Sequence, residues 1–257
     1  MNIILLVTFL TSVMPILSQA DELTLMTWNV YYDDDSGKTR YPNIMEMIGR
    51  ENTDVVCLQE VTPTFVTLLH NSRLLEKYQF VSEDLRQRYG NVILYKKKLQ
   101  KKDSVVTDLP SRMGRKGLLL TLAQQEKHIT FVNVHLESMM DDGPIRRKQL
   151  SKIKKSVALD ELVVLCGDFN FGDDELDDSV LGENYHDVGK GSSKVTYDVD
   201  ENRLAKKTEF FFEKSRRLDR VYIKGNIQID GYKVVSVKHS DHYPVIMQLR
   251  TGSQRTR

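Results

Sequence analysis

Covalent and rigid scaffolding is scarce in this chain: 257 residues contain two cysteines, six prolines and one tryptophan. A small exported fold held by a disulfide framework would need several cysteine pairs, so that class is disfavoured. Cys57 and Cys166 each sit in an apolar run, VVCLQE and VVLCGDFN. There they read as two buried thiols behaving as small hydrophobes, with a single bridge between neighbouring strands left open. Charge of one sign is also missing. The balance of 37 basic and 36 acidic residues argues against bulk-charge coating of nucleic acid. No Asn-x-Ser/Thr glycosylation acceptor occurs. Beyond residue 20 no run approaches the ~18 apolar residues of a membrane helix, and no Pro- or Ser-rich linker divides the chain.

Met1 to Ala20 is uncharged and apolar and ends in Ser18-Gln19-Ala20, with small residues at the two cleavage-determining positions. It reads as a secretory signal peptide, with an uncleaved anchor as the alternative because no Lys or Arg precedes the apolar run. The expected organisation is a leader over 1–20, one domain over 21–250 and a short basic tail over 251–257. The leader implies a secretory destination; the nucleus is the alternative if it is not a working signal. The mature part is expected to be monomeric and free of any stable membrane span.

Short β-branched runs predict strands at Leu23–Trp28, Val55–Leu58, Gln79–Ser82, Val92–Tyr95, Gly117–Ala123, Ile129–His135, Leu162–Cys166, Leu218–Ile223, Tyr232–Val237 and Val245–Leu249. Gln124 to His128 joins two of them as a hairpin. Helices are expected at Pro42–Arg50, Pro63–Leu75 and Pro144–Leu159, each with an apolar face such as Leu150, Ile153 and Val157. Many strands with few helices suggest two packed sheets with helices outside. Arg86 to Lys116 holds ten basic residues and Arg146 to Lys155 six, readable as solvated surface or as a phosphate-facing face. Asp173 to Asp187, with seven acidic residues, is expected to stay in solvent.

Chemistry concentrates where strands end. Five strand ends carry polar groups that a strand has no structural use for: Trp28-Asn29, Gln59-Glu60, His135-Leu136-Glu137-Ser138, Gly167-Asp168-Phe169-Asn170 and Ser240-Asp241-His242. Singly each reads as a cap or a turn; together they suit a phosphodiester-cleaving site. Mg²⁺ wants hard oxygen ligands and keeps several waters, so Glu60 with Asn29 near a substrate phosphate would suffice. Asp168 is placed to align or deprotonate water, with Asn170 holding it. His242 can donate to phosphate oxygens, and Asp219 can fix its tautomer and favour its charged form.

The ordered set Thr27-Trp28-Asn29, Leu58-Gln59-Glu60, Asn133-Val134-His135, Gly167-Asp168-Phe169-Asn170, Leu218-Asp219-Arg220 and Ser240-Asp241-His242 resembles the endonuclease/exonuclease/phosphatase superfamily. His135-Leu136-Glu137-Ser138 followed by Arg146 and Gln149-Leu150, and Thr196-Tyr197-Asp198, look like its tyrosyl-DNA phosphodiesterase 2 subgroup. The resemblance implies an α/β fold, a four-layer α/β/β/α sandwich of the deoxyribonuclease I-like kind with mainly antiparallel sheets. It also implies Mg²⁺ or Mn²⁺ dependence and hydrolysis of the bond between a protein tyrosine and a 5′ DNA end. By motif position Asp168, His242, Asn170 and Asp219 become catalytic candidates. His135, Ser138, Asn29 and Arg146 become substrate-binding candidates, with His135 a ring able to charge near phosphate. Glu60, Asn29, Asp33 and Asp241 become metal candidates.

Two positions depart from the subgroup. Tyr31 stands where an acidic residue is expected, with Asp33 as a substitute, and Gly172 stands where an arginine would contact phosphate. A secreted nuclease of the same superfamily, and a catalytically silent binding module, remain as alternative readings.

Overall fold

The computed structural model describes residues 21–251 except 87, 125–126 and 209–213. The proposed leader and most of the basic tail therefore lie outside the described residues. Twelve strands are described: β1 (Asp21–Asn29), β2 (Val55–Val61), β3 (Tyr78–Ser82), β4 (Gly90–Lys96), β5 (Lys101–Asp108), β6 (Lys116–Gln124), β7 (Lys127–His135), β8 (Leu162–Asp168), β9 (Tyr185–Asp187), β10 (Asp219–Lys224), β11 (Ile227–Val234) and β12 (Val245–Thr251). The longer helices are α1 (Asp34–Glu51), α2 (Pro63–His70) and α4 (Gly143–Ser156), with shorter α3 (Leu74–Lys77) and α5 (Arg203–Thr208).

The strands build two six-stranded mixed sheets, ordered β11-β12-β1-β2-β4-β3 and β5-β6-β7-β8-β10-β9. Each has one parallel pair at its centre, β1 with β2 and β7 with β8, flanked by antiparallel neighbours. A central strand is covered on both faces, which explains why VVCLQ and LVVLC are apolar without alternation. The core between the sheets is built from Leu25, Cys57, Phe131, Val164, Cys166 and Met247. Ile44 and Ile48 of α1 and Phe65 of α2 cover the outer face of one sheet. Leu150 and Ile153 of α4 cover the outer face of the other. This is the four-layer sandwich that the sequence motifs implied. Cys57 and Cys166 are both buried free thiols.

Across the middle runs a polar bolt. Asn133 of β7 donates to the carbonyls of Leu58 (2.8 Å) and Val92 (3.0 Å), and its own oxygen accepts from Gln59 Nε2 (2.7 Å). These groups are fully buried or nearly so, and each bond crosses from one sheet to the other. A buried amide left unpaired is expensive, so the two sheets are pinned in one register.

Several elements depart from the sequence expectations. α1 begins at Asp34 rather than Pro42, because Asp33 caps it by accepting from the Asp35 amide. Gly37 also lets the Tyr41 ring lie against the first turn. The helix expected over 63–75 breaks after His70 into α2 and α3. The strand expected at 232–237 runs instead over Ile227–Val234, straight after a turn at Gly225, whose φ is +92°. β5, β9 and α5 were not anticipated. The acidic stretch is not solvated throughout: Asp177 pairs with Arg146 and Arg147, and Asp187 with Arg217 and Arg220.

Candidate active site

Parallel central pairs bring the C-terminal ends of β1, β2, β7 and β8 to the same lip. Asn29 lies opposite Gln59, and His135 opposite Asp168, each at the last step of its ladder. Asp219 opens β10 opposite Asp168, and His242 lies just before β12, which runs antiparallel to β1. Register within each sheet thus brings a set of these residues to its strand ends, and the packing of the two sheets, pinned at Asn133, brings the two sets together.

Local backbone devices then aim them. The β2–β4 ladder slips between Leu58 and Val61, and Glu60 in that bulge has φ 58°, a conformation costly for a residue with this side chain. Asn170 (φ 55°) sits in a turn whose N–H bonds Asp168 Oδ1 at 3.0 Å. Such strain gathers where surrounding bonds over-determine it. Gly167 has φ +138°, and a Cβ there would strike the Val134 carbonyl, so only glycine lets β8 approach β7 this closely.

The cluster is centred on Asp168. Its Oδ2 accepts from Asn29 Nδ2 at 2.9 Å, and the same amide reaches Glu60 Oε1 at 3.1 Å. Two ring nitrogens face Asp168 Oδ2: His135 Nε2 at 3.5 Å and His242 Nε2 at 3.8 Å. Burial works against a charge on Asp168, but His242, His135 and the Asn29 amide outweigh it, so its pKa is lowered.

The two histidines are held in opposite states. Burial opposes charge on His242, yet Asp219, Asp168 and Asp241 overcome it and raise its pKa well above the ordinary value. Its Nδ1 lies 2.7 Å from Asp219 Oδ2, leaving Nε2–H directed at the centre. Asp219 is set by Thr196, whose hydroxyl accepts from the amides of Leu218 and Asp219, and the Tyr197 ring tilts against His242. For His135, burial and then the guanidinium of Arg115 push the pKa well below the ordinary value. Arg115 Nη1 lies 3.0 Å from His135 Nδ1, so that nitrogen is the acceptor and Nε2 carries the proton. The expectation of a chargeable His135 is thus corrected: it is a neutral donor.

Ser138 stands beside His135 through Arg115. Its Oγ accepts from Arg115 Nη2 (2.7 Å) and Asn170 Nδ2 (3.4 Å), which leaves the hydroxyl proton to point away from both. The loop carrying Arg115 is itself held by Glu137, which accepts from Ser111 Oγ and the amides of Arg112 and Met113.

Arg146, expected at the substrate, turns into the protein instead. Its side chain is fully buried and donates to the carbonyls of Glu137 and Met139, besides pairing with Asp177 and Glu175. With Gln149, which bonds both the amide and the carboxylate of Glu137, it shapes the loop that presents Ser138. Asp33 likewise is spent as the α1 cap, its carboxylate accepting from Asp35 N and Ser36 Oγ.

Glu60 and Asp241 remain as the metal candidates. The Glu60 side chain is 13% exposed, and burial and then the Asp241 charge raise its pKa to about 7. Burial raises Asp241 as well. Each also accepts hydrogen bonds, Glu60 from Asn29 Nδ2 and the Tyr32 amide and Asp241 from the Ser240 and Thr208 hydroxyls. Neither is paired with a guanidinium among the described residues, and two carboxylates that repel each other form an oxygen donor set that suits a hard divalent cation. Asp168, Asp219 and His242 also place their ligand atoms within 4.8 Å of one another. There the His242–Asp219 bond takes His242 Nδ1 and Asp219 Oδ2, so a cation would have to be held through the remaining atoms of these groups.

Two guanidinium groups that sequence reasoning missed frame the site. Arg115 is described above. Arg40 of α1 donates to the carbonyls of Val30, Tyr31, Asp33 and His239, tying the loop after β1 to the loop before β12. Tyr41 and Asn43 beside Arg40 look no different in sequence, and nothing in the basic run 86–116 singles out Arg115.

The profile described as the Endonuclease/Exonuclease/phosphatase family matches residues 26–242. The chain belongs to that family. No curated protein sequence matches it. Among solved structures, TDP2 of D. rerio complexed with a single-strand DNA product superposes with TM-score 0.79 at 22% identity, covering 90% of this chain and 99% of that one. TDP2 from C. elegans gives TM-score 0.73 at 22% identity, covering 90% and 75%. The human Nocturnin catalytic domain with bound sulfate gives 0.69 at 18%, covering 91% and 97%. At these identities the likeness establishes the family's fold. No helix among the described residues is long and apolar enough to cross a membrane.

Proposed function

We propose that this chain is a Mg²⁺-dependent phosphodiesterase that hydrolyses the bond between a tyrosine and a 5′ DNA phosphate. The observation that carries the reading is the pair of Nε2–H donors, one on a cationic and one on a neutral imidazole, facing an ionised, buried Asp168. Two N–H donors converging on one carboxylate are what the oxygens of a phosphate would need. Glu60 and Asp241 would hold the cation, with the Asn29 amide beside them. A bound divalent ion would neutralise charge on a nonbridging phosphate oxygen.

Asp168 takes a proton from the attacking water, whose oxygen bonds to phosphorus as the bond to the tyrosyl oxygen breaks. The products are a 5′-phosphate end and a tyrosine phenol, and the proton passes finally to the phenolate. Charge on the equatorial oxygens is met by His242 Nε2–H, His135 Nε2–H and the Ser138 hydroxyl. Asn170 holds Asp168 and Ser138 together. Tyr89 and Arg115, which lie beside His135, would offer an aromatic edge and a cation to the leaving group.

A secreted nuclease acting on unmodified DNA is the second reading. Gly172 favours it, because the guanidinium that the tyrosyl-DNA subgroup carries at this position is missing. The deciding experiment is hydrolysis of a 5′-tyrosyl oligonucleotide and of an unmodified duplex, each with Mg²⁺ or EDTA, with Asp168→Asn as control. Selective, Mg²⁺-dependent release of tyrosine supports the first reading. Nicking without tyrosine preference supports the second, and no turnover of either sinks both.

A further inference from the structure

The reaction as derived makes no use of the Tyr32 side chain, although its position is closely determined. The Tyr32 amide donates to Glu60 Oε2 at 2.9 Å. Its ring stacks on Tyr89 with centroids 4.9 Å apart and planes at 20°. The guanidinium carbon of Arg88 lies 4.3 Å from the Tyr32 ring centroid on a backbone with φ 47°, a left-handed conformation uncommon for arginine. Arg115 lies 5.6 Å from the Tyr89 ring, and Tyr89 faces the His135 ring at 6.3 Å and 29°. Arg88, Tyr32, Tyr89 and His135 thus form one ladder, from an exposed cation to a group that meets the phosphate.

A cavity of about 310 Å³ opens beside the ladder, lined in part by Arg88, Tyr89, Arg115 and His135. Tyr32 backs this wall without lining it. An unsupported Tyr89 ring would have to be ordered whenever a guest packed against it, and that ordering weakens binding. Held between Tyr32 on one face and His135 on the other, the ring is already fixed where its edge can meet an aromatic guest in the cavity in an edge-to-face contact.

We propose that Tyr32, backing Tyr89 and capped by Arg88, is a positioning residue that gives this site its preference for an aromatic leaving group. The inference rests on the phosphodiesterase reading above. It assigns a role to a residue of the loop after β1 that the motifs did not identify.

The test uses the full chain with Mg²⁺ and two oligonucleotides, one carrying a 5′-phosphotyrosine and one a 5′-phosphodiester of a short primary alcohol. kcat and KM are measured for the wild type, Tyr32→Leu and Tyr32→Phe. Tyr32→Leu is expected to lower the tyrosyl-over-alkyl ratio of kcat/KM about threefold to tenfold, mainly through KM, the range expected for one lost aromatic contact. Tyr32→Phe keeps the ring and is expected to keep the wild-type ratio. If the leucine variant slows both substrates equally or leaves the ratio unchanged, or if phenylalanine fails as leucine does, the proposal is overturned while the phosphodiesterase reading stands. If the wild type releases alcohol but no tyrosine, the leaving-group assignment and this proposal fall together.

Discussion

His135 and His242 are the same side chain held in opposite charge states by what touches Nδ1: a guanidinium on one ring, a carboxylate on the other. His242, with its pKa raised, is a cation below that raised value and loses its charge as pH rises through it. Asp219→Asn removes the charge that does most to raise it. The alkaline limb of the pH–rate profile should move toward neutrality, and turnover at about pH 7.5 should fall by about a hundredfold. A variant with an unmoved profile would refute the assigned role of Asp219. Glu60 makes a second prediction. With its pKa at about 7, it must lose a proton before a cation can bind, so thermal stabilisation by Mg²⁺ should be small at about pH 5.5 and grow as pH rises through about 7. Equal stabilisation at both ends would exclude Glu60 as a ligand. Glu60→Gln should end turnover, yet raise the metal-free melting temperature at about pH 8 by ~2–4 °C, because one of two repelling buried charges is gone.

Among the elements, β8 carries the heaviest constraint. Gly167 touches the β7 backbone where any side chain would collide with the Val134 carbonyl. Gly167→Ala should therefore cost ~3 kcal/mol in a denaturant titration, by forcing the two strands apart at the step that pairs His135 with Asp168. Gly-Asp-x-Asn was legible in the sequence because tight turns and strand ends use few residue types. The central strands were legible for a related reason, since burial on both faces leaves an unbroken apolar run. β5 was not, because KKDSVVTD is an edge strand exposed along most of its length and carries no alternation to read. α1 was cut short in the sequence reading because Gly37 and Pro42 are helix breakers by propensity, whereas Asp33 capping and Arg40 bonding to four carbonyls outweigh that cost. The burial of Arg146 was not legible because a helix on the outer face of a sheet offers no sequence sign of which cations turn inward. Arg115 was missed because its partners come from strand ends 20 and 23 residues away.

Across the whole molecule, the candidate site belongs to neither sheet. Asn29 and Glu60 come from one sheet, His135, Asp168 and Asp219 from the other, and His242 bonds across the gap. Asn133 and Gln59 pin that gap from within. Asn133→Leu should cost ~2–4 kcal/mol in global unfolding, because the Leu58 and Val92 carbonyls lose their donor in a dry interior. An unchanged denaturation midpoint would show that the bolt does not hold the sheets. The bolt also bears on how the protein ages and fails. An active site mounted on one rigid piece can lose its geometry by local fraying long before the protein melts. Here the reacting groups keep their spacing only while both halves stay locked, so on heating, residual activity should follow the cooperative melting curve. A damaged population would then contain fully working molecules and dead ones, with few that are merely impaired.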